Sequence, residues 1–520
     1  MAPAPYDFAS LRTGGPDPAV RWPLPQAEVR ALNAVVQREL VAAVRDLPTG
    51  DARLLLTIAA PAMGVTLLTV LTAWLTVVRA RERDLDFTYG RPSLMEPMAK
   101  GEAPDAGIFF KLVRDRFAAA ITPRRDSRLR ALARSYLANR RLAPWGPRVA
   151  LLNRNHLMDI ETARTRDHRF RFLVLDALFR GDAPAADATL LHPAREAAAT
   201  LVARLAAHLD GRGCPVPDVV AEALRRAIDE HLEAVSRHDA LLRRNWRRVP
   251  QDLWTGTGGN YIARLCRAAV RREGGRITGF DHGGNSQIHM DLAPLHTHEL
   301  SLCDRFVTDT PEKAALLGRG VDPALSLDGR PPEVVAAARG GVPVLQGAGQ
   351  RPIRTVMYVT TAFVGETQYP LQPLIPDPVY ADWQGRLVDA LHAAGVRVLV
   401  KQHPEGLRRG EPLVMSANGT YIGGRFGEVA HQADAFILDY PATSTLWEAI
   451  TSDKPVIFAD LGLADWNPEV RADFERRCAI VSCPSDEWNR PRIDTDALAA
   501  ALAAPPDDGG AYARKYLTGG

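Results

Sequence analysis

Three groups of side chains in this chain have the types and spacing to do chemistry. The first is the run Asp439-Tyr440-Pro441-Ala442-Thr443-Ser444-Thr445-Leu446-Trp447-Glu448. Thr443, Ser444 and Thr445 follow the apolar run Ala435 to Leu438 and stand where a helix should begin. Hydroxyls there cap free backbone N–H groups, and those groups with the helix dipole suit a phosphate. Glu448 falls one turn after Ser444 and Thr445 on the same face, placed to accept hydrogen bonds from a ribose. Asp439, at the end of a buried strand, needs a partner if it is ionised. The second group is Lys401-Gln402-His403-Pro404, directly after the strand-like Val396 to Val400. The His403 imidazole can donate to a phosphate oxygen, and Pro404 restrains the backbone beside it. The third is Asp281-His282-Gly283-Gly284-Asn285 after Ile277 to Phe280. Its glycines let backbone approach a ligand closely. Asp281 and His282 can serve as base, nucleophile or orienting pair.

Weaker signals accompany these. Trp254-Thr255-Gly256-Thr257-Gly258-Gly259-Asn260-Tyr261 opens a helix with glycines and hydroxyls, as an anion-binding turn would, and makes Thr257 and Asn260 candidates for the cleft. It is neither a Walker A loop nor the dinucleotide fingerprint. Thr361, at the end of the strand Arg354 to Thr360, is expected to face the same cleft, with Glu366 further along. His289, His296, His298 and Glu299 do not have the spacing of a helical ligand pair, so no metal site is expected.

These groups need elements to position them. Residues 1–50 are Pro-rich and then helical from Gln26 to Val44. Residues 85–145 read as irregular and basic, and 155–250 as a helical insertion with periodicity over Ala194–Leu209 and Val219–Leu242. A regular α/β pattern follows: helix Gly258–Arg272, strand Gly275–Phe280, strand Arg305–Thr308, and a helix opened by Thr310-Pro311. Residues 328–352, rich in Gly, Pro, Arg and Ala, read as a linker. A second series has helices at Val379–Ala394, Ser444, Pro468–Arg477 and Thr495–Leu502. Its strands lie at Arg354, Val396, Ala435, Pro455 and Ala479. Strands alternating with helices imply parallel sheets with right-handed crossovers and ligands at the strands' carboxyl ends. The expected fold is α/β, with two Rossmann-like domains, 1–335 and 336–520, facing a cleft.

Bulk properties set limits. The chain has 520 residues, 46% hydrophobic and 24% charged, with a net charge of +3, so nothing points to nucleic acid. The basic clusters Arg243–Arg248 and Arg164–Arg169 read as solvated surface. Five widely spaced cysteines support neither a disulfide framework nor a zinc knuckle, which fits a reducing cytoplasm. The first residues do not resemble a signal peptide. From Leu54 to Val78 no residue is charged, long enough for a membrane helix. Pro61, Gly64 and the threonines favour a buried strand at Leu54–Ile58 followed by a buried helix from Val65 to Arg79.

The combination of Asp281-His282-Gly283-Gly284, Lys401-Gln402-His403-Pro404 and Ser444-Thr445-x-x-Glu448-Ala449 before Lys454-Pro455-Val456-Ile457 resembles bacterial surface-polysaccharide glycosyltransferases of GT-B type. The nearest groups are CMP-sugar users, the β-Kdo transferases and bacterial sialyltransferases. CDP-glycerol glycerophosphotransferases are similar in the second half. The likeness runs from about Leu253 to Ile457. It implies a GT-B-like α/β fold and a nucleotide-sugar donor, CMP-linked in the first instance, with its phosphate held by His403, Ser444 and Thr445. It also implies a surface-glycan or lipopolysaccharide acceptor on the first domain, no metal or other cofactor, and a cytoplasmic enzyme, soluble or peripheral at the inner membrane. In the family the His-Gly-Gly motif often begins with Gln, whereas here it begins with Asp281, so a nucleophilic, basic or structural role for that residue stays open. A non-catalytic nucleotide-binding or scaffold protein on the same fold is the remaining alternative. Sugar, linkage and oligomeric state are not read from the sequence.

Overall fold

The computed structural model describes residues 3–13, 20–104, 148–165, 167–173, 175–246, 248–342, 344, 352–371, 374–403 and 415–519. Two parallel sheets of six strands organise it. The first contains β1 (Arg148–Leu152), β2 (Arg169–Phe172), β3 (Asp252–Thr255), β4 (Arg276–Phe280), β5 (Arg305–Thr308) and β6 (Glu333–Ala336), in the order β2-β1-β3-β4-β5-β6. The second contains β7 (Thr355–Val359), β8 (Arg397–Lys401), β9 (Gly419–Ile422), β10 (Ala435–Leu438), β11 (Val456–Asp460) and β12 (Cys478–Ser482), in the order β9-β8-β7-β10-β11-β12. Each order reverses direction once, and the crevice at that reversal is where doubly wound sheets bind ligands.

Strands β1, β7, β8, β10 and β11 are buried on both faces, which is why they read as continuous apolar runs rather than alternating ones. Side chains still alternate. In β1, Val149 and Leu151 face one core with Phe280 and Val307, while Ala150 and Leu152 face another with Leu253 and Ile277. In the second sheet Val356 and Tyr358 pack with Ile437 and Ile457, and Met357 and Val359 with Phe436 and Phe458 on the opposite side. Two parallel α/β sheets, each with one reversal of strand order, are the expected mixed architecture.

The stretch read as a strand and then a helix is instead one helix. Besides α1 (Gln26–Asp46), the helical layer holds α2 (Asp51–Glu82), of 32 residues with Pro61 inside it. It is long and apolar enough to cross a membrane, yet 89% of its most apolar stretch is buried within the protein. It packs against α1, α3 (Ala188–Asp210), α4 (Asp218–Asn245) and α5 (Tyr261–Arg272). Pro61 has no N–H for the Thr57 carbonyl one turn earlier, which would ordinarily weaken a helix there. The buried Arg264 guanidinium on α5 donates to that carbonyl at 2.6 Å, so the freed acceptor is satisfied from outside the helix.

Two further readings are corrected. The supposed linker contains β6, because Glu333-Val334-Val335-Ala336 extends the first sheet beside β5. The helical insertion contains the edge strand β2, paired to β1. Residues 105–147 and Pro404 lie outside the described residues. Both termini cross between the domains: Phe8 packs on Phe363 in the second domain's core, and Thr310 Oγ1 donates to the Lys515 carbonyl at 2.6 Å.

Candidate active site in the interdomain cleft

The chain after β4 leaves the first sheet and docks on the second domain. Gly283 and Gly284 take φ of +85° and +73°, a conformation that favours glycine. A Cβ on Gly284 would lie 3.2 Å from both Trp447 and Val342, so the turn sits flush against α6 (Ser444–Ile450). Further along, Asn467 N–H donates to Ile288 O at 2.7 Å and Met290 N–H to Asp465 O at 3.0 Å.

This docking creates an open cleft of about 110 Å³ whose lining includes Asn155, His156, Asp281, His282, Asp309, Ser444 and Glu448. Its walls come from the carboxyl ends of β1, β4 and β5 on one side and from α6 on the other. No Lys or Arg lines it among the described residues.

His282 is exposed, with 48% of its side chain accessible. Its Nδ1 lies 3.6 Å from Glu299 Oε1. Glu299 is buried and held in turn by the Gly258 N–H at 2.6 Å. The second imidazole nitrogen lies across the ring from Glu299. An imidazole backed by a carboxylate and open on its other side has the form of a general base.

Asp281 is built differently. Its Oδ2 accepts from Ser286 Oγ at 2.5 Å and Thr308 Oγ1 at 2.9 Å, and stands 2.8 Å from Lys313 Nζ. Lys313 is wholly buried and also reaches Asp309 at 2.7 Å. Burial alone would raise the Asp281 carboxyl, but the Lys313 ammonium and the two hydroxyls outweigh it and hold it below its ordinary value. Asp309 goes the other way, raised by burial against the pull of Lys313. A carboxylate so well satisfied has little proton affinity left for a base. Its backbone oxygen accepts from Asn155 Nδ2 at 2.9 Å, and that same amide group donates to Gly256 O at 3.1 Å. Asn155 therefore ties together the ends of β1, β3 and β4 while its oxygen caps the next helix through Met158 N–H.

On the opposite wall, Thr443 is the N-cap of α6 and accepts from Thr445 N–H at 3.4 Å. Ser444 is exposed to the cleft, and Glu448 lies one turn on with its carboxyl raised by burial. Thr445 is half-buried and does not line the cleft. His403 is half-buried at the carboxyl end of β8, and β7 separates that strand from β10. Two strand spacings place the ends of β8 and β10 roughly 10 Å apart, within the reach of one nucleotide.

Other candidates serve elsewhere. Lys401 is buried, its Nζ donating to Gln402 O at 2.9 Å, with its pKa lowered by burial. Asn260 caps α5 through Ile262 and Ala263 N–H. Thr257 lies 3.5 Å from Glu299 and belongs to the support of the His282 pair. Asn285 precedes a short 3-10 turn without capping it. Thr361 lines a separate crevice with Tyr380, Asp439 and Tyr440, between the carboxyl ends of the central strands β7 and β10. The partner that Asp439 needs is a trio of neutral donors, Tyr358, Tyr380 and Trp383, and burial raises its pKa to about 6. Glu366 turns to the N-terminal segment, accepting from Tyr6 and from Leu94 N–H. Burial pushes the His296 and His298 pKa values down to about 4 and about 3. Among the described residues no group of His, Cys, Asp and Glu is placed to hold a metal.

Glu299, Asn155, Asp309 and Lys313 were not singled out as cleft residues from sequence. The one signal available was a lysine on the apolar face of a helix opened by Thr310-Pro311.

The sequence matches no family model and no curated protein. Among solved structures the chain is similar to the crystal structure of Arabidopsis thaliana UGT89C1. That match has 10% identity, covers 69% of this chain and 89% of that one, and has a TM-score of 0.32. It is also similar to the wall teichoic acid polymerase TagF, with 10% identity, coverage of 75% and 93%, and a TM-score of 0.27. Likeness this remote carries no argument about chemistry, which rests on the cleft itself.

Proposed function

We propose that this protein is a GT-B-type transferase that moves a sugar from a nucleotide donor to a hydroxyl of a glycan acceptor. The observation that carries the reading is the His282–Glu299 pair, open to a cleft whose far wall is Ser444 and Glu448 of the other domain. In this scheme His282 takes the proton of the acceptor hydroxyl as that oxygen bonds to the donor's anomeric carbon. The bond from that carbon to the phosphate oxygen breaks. Glu299 stabilises the imidazolium, and Ser444 with His403 receives the phosphate's charge. Asp281 and Asp309, fixed by Lys313, and Asn155 hold the strand ends that shape the acceptor side.

The donor is taken as a CMP-linked sugar acid such as Kdo, and the acceptor as a cell-surface polysaccharide or lipopolysaccharide. Support for both is the resemblance of the His403 and Ser444-Thr445 motifs. Glycerol-phosphate transfer from CDP-glycerol is the second reading, favoured by the same motifs. Work at the cytoplasmic face of the inner membrane follows from either. A thermal-shift panel of CMP, CDP, UDP and GDP, on wild type and His403→Ala, tests the donor side. Stabilisation by CMP that the variant loses supports the proposal. Stabilisation by UDP or GDP alone overturns the donor, and no stabilisation by any nucleotide favours a scaffold.

A further inference from the structure

His156 lines the cleft but takes no part in the transfer scheme. It opens the helix His156–Arg164, is exposed, and has no hydrogen bond or ion pair among the described residues. The backbone that carries it is tightly constrained. Asn153, just past β1, is a non-glycine residue with φ of +52°. A Cβ on Gly256 would lie 1.8 Å from the Asn153 carbonyl oxygen, so the ends of β1 and β3 are in direct contact there. Asn155 ties that junction to β4 and caps the helix, and a Cβ on Gly341 would lie 2.6 Å from Leu157. A left-handed residue other than glycine is uncommon and marks a turn that its surroundings impose. The turn ends with an imidazole at the crevice where the strand order of the first sheet reverses, between β1 and β3.

A separate observation is the distribution of charge. No Lys or Arg lines the cleft among the described residues, so the lining side chains able to carry positive charge are His156 and His282. His282 must be neutral to take up a proton. The remaining charged groups around His156 are matched elsewhere. On its own helix Asp159 pairs with Arg154, and Glu161 with Arg164. From the first sheet Asp281 and Asp309 share Lys313. On α6 the Glu448 carboxyl is raised by burial, toward its neutral form. His156 is left to meet an anion that the substrate brings.

We propose that His156, as an imidazolium, binds the donor's phosphate from the first-domain wall, opposite Ser444. The inference rests on the transferase reading and gives the phosphate a contact from each domain. As the bond between the anomeric carbon and the phosphate oxygen breaks, its electron pair stays on that oxygen, which accepts from the His156 N–H. The proton stays on His156, while the acceptor's proton goes to His282. Negative charge on the phosphate grows as the bond breaks, so the contact is stronger in the transition state than in the bound donor.

The test is calorimetric titration of the full chain with CMP, UDP and GDP, for wild type, His156→Ala, His156→Gln and His282→Ala. It is run at both ends of the range in which imidazole titrates, about pH 5 to 8. In mild acid, the nucleotide that binds wild type should bind His156→Ala roughly tenfold or more weakly, the loss expected for one bond to a charged donor. His282→Ala should bind it as wild type does. Glutamine keeps an N–H donor without the charge, so the advantage of wild type over His156→Gln should be largest in mild acid and shrink at the alkaline end. A merely structural role would not give that pH dependence. His156 is exposed, so both of its variants should keep the wild-type unfolding midpoint. Equal affinity in wild type and His156→Ala, or an advantage over His156→Gln that does not change with pH, would overturn the inference and leave the transferase reading standing. Binding of none of the three nucleotides to wild type would overturn both.

Discussion

Replacing Lys313 with methionine tests how the cleft is held. Lys313 Nζ lies 2.8 Å from Asp281 and 2.7 Å from Asp309, with no side-chain exposure on the lysine and 4% on each acid. Methionine fills much of the same volume but leaves two buried carboxylates beside each other. Breaking a buried pair by removing one partner costs about 3–5 kcal/mol. Asp281 keeps its bonds from Ser286 and Thr308, and Asp309 keeps the Gly341 N–H at 2.9 Å. Asp309 is already raised by its burial, so it takes up the proton in the variant. The pH dependence has a definite sign. In the wild type the Asp281 pKa is depressed, so its contribution is present above the unfolded value and is lost as pH falls through the folded one. The deficit of Lys313→Met should therefore be largest at neutral pH and shrink in mild acid. Adding Asp309→Asn should recover part of it. Urea unfolding at a series of pH values measures all three quantities. A deficit below about 1 kcal/mol, or one that does not change with pH, would refute the view that Lys313 carries the two acids.

Three further outcomes are expected. Arg264→Met should destabilise by several kcal/mol, since Thr57 O and Thr297 O lose buried donors, and Pro61→Ala should restore part of that by returning an N–H to Thr57; urea unfolding of the double-mutant cycle measures the coupling. Gly284→Ala should cost about 1–3 kcal/mol in the same assay, because φ is +73° and the new methyl meets Trp447 at 3.2 Å. Burial raises the folded pKa of Asp439 from its ordinary 3.8 to about 6, so wild-type stability should fall as pH rises through that window, and Asp439→Asn should flatten this component in a pH series of unfolding midpoints.

The second domain was more legible in sequence than the first. Pro468–Arg477 is capped by Asn467 with proline at its start, and the strands at Ala435 and Val456 are short apolar runs between breakers. The first domain hides β1, β2 and β3 among helices, and their four or five residues declare themselves only when paired. Pro61 argued for a break in α2, and a sequence window holds no sign that Arg264, 207 residues away, would satisfy Thr57. At the cleft, Asp281–Gly284 and Ser444–Glu448 stood out by composition, whereas Asn155 reaches Asp281 across 126 residues. Glu299 read as part of a histidine-rich stretch until its carboxylate came within reach of His282.

The most direct measurement is turnover and nucleotide binding of one purified preparation with a panel of nucleotide-linked donors. It compares wild type, His282→Ala and Glu299→Gln. Wild type should release nucleotide from one donor class. His282→Ala should bind that nucleotide as wild type does but lose roughly 10²–10⁴-fold in turnover, with a smaller loss in Glu299→Gln. Full turnover in His282→Ala, or loss of nucleotide binding together with activity, would contradict a base on the first domain acting across the cleft from a nucleotide on the second.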